Sequence, residues 1–386
     1  MNPNTFVSIN SNIIKENIQN IRNSYPDYQY YFGVVKGNCY GHSYGIIPSL
    51  KAGGINYLAV SSLSEALEVR KIEEEMSILI FEPISLNDLE IAATYNFTIT
   101  IHDINYYEQL LLKSPKEKIK VHLKIDSGMN RLGIKNKNEV KKIVNELQSN
   151  KYFYLEGIYT HFATDGLTDP YWDKQMLSFQ EITSGISLKQ IQIIHLGRSS
   201  TLLHHQKIPF ANGIRLGIVQ YGINYKKIVD NSIKGKLRQI KKNYLIKKYQ
   251  ITNTIEENNL IVKPAFSMHS QVIQVKIVEK GDKIGYGSLY TAKEKMYIAI
   301  VPVGFSSGFS KKNIGGDVII NYKRYQIITS INMNLLCLKV DPQVRTGNNV
   351  TLIGQDISVF EVARRCQISS YELFTAINAN VPRKII

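Results

Sequence analysis

Eight short apolar runs recur between residues 30 and 218, with helical patterns in the intervals. They are YYFGVVK (30–36), YLAVS (57–61), SILIFE (77–82), FTITIHD (97–103), KVHLKID (120–126), LEGIYTHF (155–162), QIIHLG (192–197) and GIRLGI (213–218). The third and seventh are nearly continuous in apolar residues, the pattern of strands covered on both faces. Between runs, SLSEALEVRKIEEE, SLNDLEIAATY and NKNEVKKIVNELQ carry apolar residues at helical spacing. The first opens on Ser62, with Glu65 three residues later, the spacing of a capping box. Parallel strands need long crossovers, usually helices. Eight strand–helix units in succession predict a (β/α)8 barrel, a fold of about 250 residues.

After residue 260 the texture changes. HSQVIQVKIV, MYIAIVPVG, DVIINY, YQIITSI and NNVTLIG are short strand-like runs split by EKGDK, NIGGD and TGNN. Turn residues at that spacing predict a compact β domain. The tail ISVFEVARRCQISSYELFTAI returns to a helical pattern and ends at VPRKII. The expected organisation is α/β: an N-terminal TIM barrel followed by a C-terminal mostly-β domain. Residues 1–10 are expected to form a strand joining that β domain, 11–224 the barrel, 225–260 a basic connector and 261–386 the β domain.

The net charge of +15 is uneven. Lys226, Lys227, Lys234, Lys236, Arg238, Lys241, Lys242, Lys247 and Lys248 crowd a segment whose acid is Asp230. Such a cluster is the footprint of an anionic partner or of a solvated insertion. No nucleic-acid fold signature accompanies it, so no nucleic acid is expected. No apolar stretch is long enough for a membrane span, and the N-terminus lacks a signal-peptide h-region. Three scattered cysteines, Cys39, Cys337 and Cys366, form neither a disulfide framework nor a metal-ligand spacing. A reducing cytoplasm is the expected compartment, with no metal.

Barrel enzymes do their chemistry at the C-terminal ends of the strands. The candidate strands carry Lys36 and Tyr40 there, then Lys124 with Arg131, His161, His195 with Ser199, and Arg215. So many titratable groups at one rim predict a shared pocket.

The motifs around these residues resemble the alanine racemase family, pyridoxal 5′-phosphate (PLP) enzymes of fold-type III, essentially end to end. VVKGNCYGHSYG (34–45) is similar to the family's lysine motif AVVKANAYGHG, and KIDSGMNRLG (124–133) to its K-x-D-T-G-M-x-R-x-G element. YTHFATDG, GIRLGIVQYGI, DKIGYGSLY, VPVGFSSG and SSYELFTAINANVPR follow in the family's order. The resemblance implies that Lys36 condenses with the PLP aldehyde. It also implies two catalytic bases, Lys36 and Tyr286, the tyrosine coming from the partner chain of a homodimer with composite sites. Cofactor-binding roles fall on Lys36, Tyr40, Arg131, His161, Ser199, Arg215, Gly217, Ile218 and Tyr371. Arg215 would face the pyridine nitrogen, fixed by His161. Arg131 and Met333 would meet the substrate, and Lys124 matches a lysine often carbamylated in the family.

Four positions depart from the family pattern: Arg198 for asparagine, Phe305 in GFSSG for the gate tyrosine, Asn332–Met333–Asn334 for C-M-D, and Asn380 for arginine. They lie in the gate and substrate shell. The implied function is interconversion of L- and D-alanine for peptidoglycan, with serine or another small amino acid as the alternative substrate. Alternatives of other kinds are a non-catalytic PLP-binding protein and a fold-type III decarboxylase.

Overall fold

The computed structural model describes residues 4–224, 233–249 and 258–386. They divide into two compact units: Ile13–Gly37 with Ile47–Pro264, and Met1–Asn12 with Asn38–Ile46 and Ala265–Ile386. The first strand, β1 (Phe6–Ile9), belongs to the second unit.

The first unit is the barrel. Its strands are β2 (Tyr30–Val34), β3 (Tyr57–Val60), β4 (Ile78–Ile80), β5 (Phe97–Ile101), β6 (Ile119–Lys124), β7 (Phe153–Tyr159), β8 (Ile193–His195), β9 (Gly197–Arg198) and β10 (Gly213–Leu216). Each pairs in parallel with the next from β2 to β8. β10 then pairs with both β2 and β9. Only Leu196 separates β8 from β9, so the seventh apolar run is one strand with a break. One half joins the strand before it and the other half the last strand, and the ring closes with eight strands, as the sequence predicts.

The helices follow their apolar spacing. Helix Lys137–Gln148 buries Val140, Ile143, Val144 and Leu147, one stripe at i, i+3, i+4 and i+7, and is capped by Asn136. Burying each such side chain contributes about 1.5–3 kcal/mol. Asn17 ties the ends of the unit together. Its Nδ2 donates to the Lys263 carbonyl (2.9 Å) and its Oδ1 accepts the Lys263 amide (2.8 Å). Part of the expected basic connector, residues 225–232 and 250–257, lies outside the described residues; between them runs a helix, Ile233–Tyr249.

The second unit is mostly β. It adds β11 (Phe266–Gln271), β12 (Gln274–Val278), β13 (Lys283–Ile284), β14 (Tyr290–Thr291), β15 (Met296–Val301), β16 (Asp317–Ile320), β17 (Lys323–Gln326), β18 (Leu336–Val340), β19 (Asn349–Ile353) and β20 (Arg383–Ile385). A six-stranded sheet runs β17-β16-β19-β11-β1-β20, beside a three-stranded sheet β12-β15-β18 and the hairpin β13-β14. β1 is antiparallel to β11 and parallel to β20. LCLKV, not among the runs read as strands, forms β18, and HSQVIQVKIV is divided between β11 and β12. The tail is helical as read, in Val359–Cys366 and Ser370–Ala376, and its last residues add β20. The segment Asn38–Ile46, inside the range read as barrel, packs with the β unit. Gly41 there lies so close to Phe374 that a Cβ would stand 2.3 Å from its carbonyl oxygen.

Candidate active site

Lys36 follows the end of β2 and opens a single helical turn, Lys36–Tyr40. Gly37, Asn38, Cys39 and Tyr40 all have positive φ, between 52° and 61°, so the turn is left-handed. Glycine and asparagine tolerate that region; for Cys39 and Tyr40 it costs roughly 1–2 kcal/mol each. Hydrogen bonds hold the strained turn. The Glu65 carboxylate accepts the Gly37 amide (2.6 Å) and the Ser61 amide (2.8 Å). Asn38 Oδ1 accepts the Tyr44 amide (2.8 Å), and His42 Nδ1 donates to the carbonyls of Cys39 and Tyr40 (3.1 Å each). Only half of the expected capping box forms. Ser62 Oγ does accept the Glu65 amide (3.4 Å), but the carboxylate is committed to Ser61 and to the residue after the lysine.

Arg215 projects from β10 and is buried. Its Nη1 donates to His195 Nδ1 (2.8 Å) and to the His195 carbonyl. Its Nη2 donates to the carbonyls of Thr160 (2.7 Å) and Leu196 (2.9 Å). His161, expected to fix Arg215, stands at a long 3.5 Å from Nη2. The close imidazole is His195. Burial lowers the Arg215 pKa to about 10, and the group still carries its charge at neutral pH.

Lys124, at the end of β6, is 6% exposed. Burial, then the charges of Arg131 and Arg215, bring its pKa down to about 8, with Lys36 adding to the effect and Asp126 opposing it. Burial, then Arg215, Arg198, Arg131 and Lys124, hold His161 well below the usual imidazole range. Lys36, Lys124, Arg131, Arg198 and Arg215 therefore share one electrostatic field. Beside them, Ser199 Oγ accepts the Gly217 amide (2.9 Å), and Ile218 follows, buried. Arg198 lies within 3.5 Å of the Thr164 carbonyl through Nη2.

The remaining expected site residues belong to the second unit. The rings of Tyr40 and Tyr371 lie 5.6 Å apart. Tyr286 is 76% exposed, between Gly285 (φ 74°) and Gly287 (φ 71°). The Met333 carbonyl accepts the amide (3.0 Å) and hydroxyl (2.7 Å) of Ser306. That hydroxyl also meets Asn334 Oδ1, so two of the altered motifs, GFSSG and NMN, touch each other.

Sequence reading passed over Glu65 as a brace for the lysine turn, and the buried polar groups Tyr57, His122 and Glu156. The signal for the last three was present. Each is a polar residue inside an apolar barrel-strand run, a placement that demands a partner.

A closed parallel barrel with Lys36 just past one strand end and Lys124 and Arg215 near the C-terminal ends of others has the layout of a (β/α)8-barrel enzyme. Residues 9–225 match the alanine racemase N-terminal domain and residues 265–385 the alanine racemase C-terminal domain. Alanine racemase 1 of Bacillus subtilis is 32% identical over 390 residues, covering 99% of this chain and 93% of that protein. The crystal structure of alanine racemase from E. faecalis superposes with a TM-score of 0.87 at 28% identity, covering 100% of this chain and 98% of that one. The Bacillus anthracis alanine racemase, solved with bound L-Ala-P, gives a TM-score of 0.85 at 31% identity, covering 100% and 96%. The chain belongs to the alanine racemase family.

Proposed function

We propose that this chain interconverts L- and D-alanine with PLP as cofactor, in a homodimer whose sites combine Lys36 of one subunit with Tyr286 of the other. Residues of the barrel rim fit such a group. Five cations with few carboxylates among them favour a phosphorylated, anionic cofactor, and Lys36 offers the primary amine that an aldehyde requires. When bound, PLP supplies the conjugated ring that makes the substrate α-proton acidic.

The chain supplies geometry and proton transfer. Lys36 Nζ takes or returns the α-proton on one face, and the Tyr286 hydroxyl serves the other; inversion needs both. Arg215 would hold the pyridine nitrogen while keeping its own proton, because a guanidinium stays charged. That would restrain electron withdrawal by the ring and favour racemisation over transamination. Ser199 Oγ, oriented by the Gly217 amide that it accepts, the Ile218 amide and the hydroxyls of Tyr40 and Tyr371 would hold the phosphate, and His161 flanks Arg215. Arg131 and the Met333 backbone orient the substrate carboxylate.

The observation that carries this reading is the placement of Lys36: at a strand end, in a strained and braced turn, close enough to Lys124 for the two charges to interact. The test is a chiral assay of the PLP-loaded protein with L-alanine and, separately, L-serine. Racemisation of alanine that is lost in Lys36→Ala is the expected result. Faster turnover of serine would move the substrate assignment to the hydroxylated amino acid, for which the Ser306–Asn334 pair offers polar contacts. PLP bound with no racemisation of any amino acid would overturn the reading.

A further inference from the structure

The barrel interior holds a file of polar side chains between Arg215 and a buried carboxylate. Arg215 Nη1 meets His195 Nδ1 (2.8 Å), His195 Nε2 meets His122 Nδ1 (2.9 Å), and His122 Nε2 meets Glu156 Oε2 (3.0 Å). Both imidazoles are fully buried, and Glu156 is 4% exposed. Tyr57 donates its hydroxyl to the same Oε2 (2.6 Å), and Lys120 Nζ lies 3.7 Å from Oε1.

Donor and acceptor chemistry gives the file one direction. A guanidinium only donates, so His195 Nδ1 must be bare and its proton must sit on Nε2. That N–H donates to His122 Nδ1, which must be bare in turn. His122 then carries its proton on Nε2 and donates to the carboxylate. Both rings are thus neutral Nε2–H tautomers: Arg215 imposes the order at one end, and Glu156 accepts the last N–H at the other. Burial, then the charge of Arg215, keeps His195 well below the usual imidazole range. Burial works to raise the Glu156 carboxyl, but the hydrogen bonds from His122 and from the Tyr57 hydroxyl hold it below the ordinary value. The His195 ring is also clamped in its plane, stacked on Phe32 (4.5 Å) and Tyr159 (4.7 Å).

We propose that Glu156 is a positioning residue for the Arg215 guanidinium, acting through His122 and His195 by fixing both tautomers. Remove the acceptor, and His122 is free to carry its proton on Nδ1. His195 must then donate where it had accepted, the Arg215 contact becomes donor against donor, and the guanidinium tilts. This rests on the role proposed above for Arg215.

The test joins a spectroscopic readout to kinetics on the full-length protein labelled with ¹⁵N-histidine, the two rings being assigned from His122→Phe and His195→Phe. In the wild type, without cofactor, His122 and His195 should both show bare Nδ1 and protonated Nε2. Glu156→Ala should lose that pattern and, when loaded with PLP, lower kcat about tenfold with KM within about twofold, as loss of a ligand-orienting partner does. Glu156→Gln keeps an acceptor oxygen, so it should keep the pattern and most of the rate. If Glu156→Ala does not fold, His122→Phe breaks the file between the same ends and carries the same kinetic expectation. A protonated His195 Nδ1 in the wild type, an unchanged kcat in Glu156→Ala, or an equal loss in Ala and Gln would overturn the proposal. A wild type with the expected tautomers but no racemisation would instead sink the functional reading and leave the relay standing.

Discussion

The Glu65 carboxylate accepts the amide of Gly37 at 2.6 Å, immediately after Lys36 in the chain. Because Glu65 also takes the Ser61 amide at 2.8 Å, one side chain ties the start of its own helix to the turn that presents the lysine. The four positive-φ residues from Gly37 to Tyr40 have a standing tendency to relax, and this brace opposes it.

Glu65→Ala should therefore loosen the turn. Hydrogen bonds to a charged group are worth about 1.5–3 kcal/mol, and a displacement of about 1 Å at a reacting group can cost on the order of 100-fold in rate. A fall in kcat of about tenfold or more is expected, with Glu65→Gln in between because it keeps one acceptor oxygen. Steady-state kinetics on both variants check this; equal rates for Ala and wild type would remove Glu65 from the account.

Gly41 closes the same motif. Its φ of +79° and the Phe374 carbonyl, 2.3 Å from where a Cβ would sit, forbid a side chain on two counts. Gly281 has φ +95° but nothing within 4 Å. Gly281→Ala should cost about 1–2 kcal/mol, the left-handed penalty alone. Gly41→Ala should lose more than about 3 kcal/mol or fail to accumulate. Thermal unfolding of the pair separates backbone conformation from collision.

Lys124 makes a pH prediction. Its pKa falls to about 8 from 10.5 in the folded chain. Between those values the unfolded state binds more protons, so this group's contribution to stability rises with pH across the window from about 8 to 10.5. Below it, the group is charged in both states and carries the full penalty, on the order of 3 kcal/mol. In bicarbonate-free buffer, where the amine is unmodified, Lys124→Met should remove the slope and raise stability at neutral pH, as read from denaturant midpoints. The amine is partly neutral near pH 8 and therefore a nucleophile toward CO2. Carbamylation would place an anion among Arg131 and Arg215, and ¹³C-bicarbonate should give a carbonyl signal in the wild type that is absent in Lys124→Met.

The barrel was legible because its strands are covered on both faces, which leaves unbroken apolar runs such as SILIFE and QIIHLG. β18 and β20 were not read from sequence. LCLKV follows a stretch with no turn cluster to isolate it, and the three residues of β20 become a strand only by pairing with β1, more than 370 positions away in the chain. Site residues divide the same way. Lys36 and Arg215 stand at strand ends and can be read one at a time. Glu65 gave a true local signal, its serine cap, which masked the longer-range use of its carboxylate. Tyr57 and Glu156 meet across 99 positions, a relation that exists only once the ring has closed.

The proposed composite site makes the sharpest prediction, because it would fix where the two bases reside. If Lys36 and Tyr286 of one site come from different subunits, Lys36→Ala and Tyr286→Phe should each abolish most activity. Mixing the two inactive variants under conditions that exchange subunits should then restore it. A mixed dimer carries both lesions in one site and neither in the other. Random exchange of equal amounts makes half of the dimers mixed, so about a quarter of all sites regain both bases. Activity rising toward about a quarter of wild type is the expected outcome. With both bases in the same chain, no mixed dimer would contain an intact site and the mixture would stay inactive, whatever the efficiency of exchange. Exchange is confirmed independently by native mass spectrometry of differently tagged variants, so that an inactive mixture with demonstrated mixed dimers assigns both bases to a single chain.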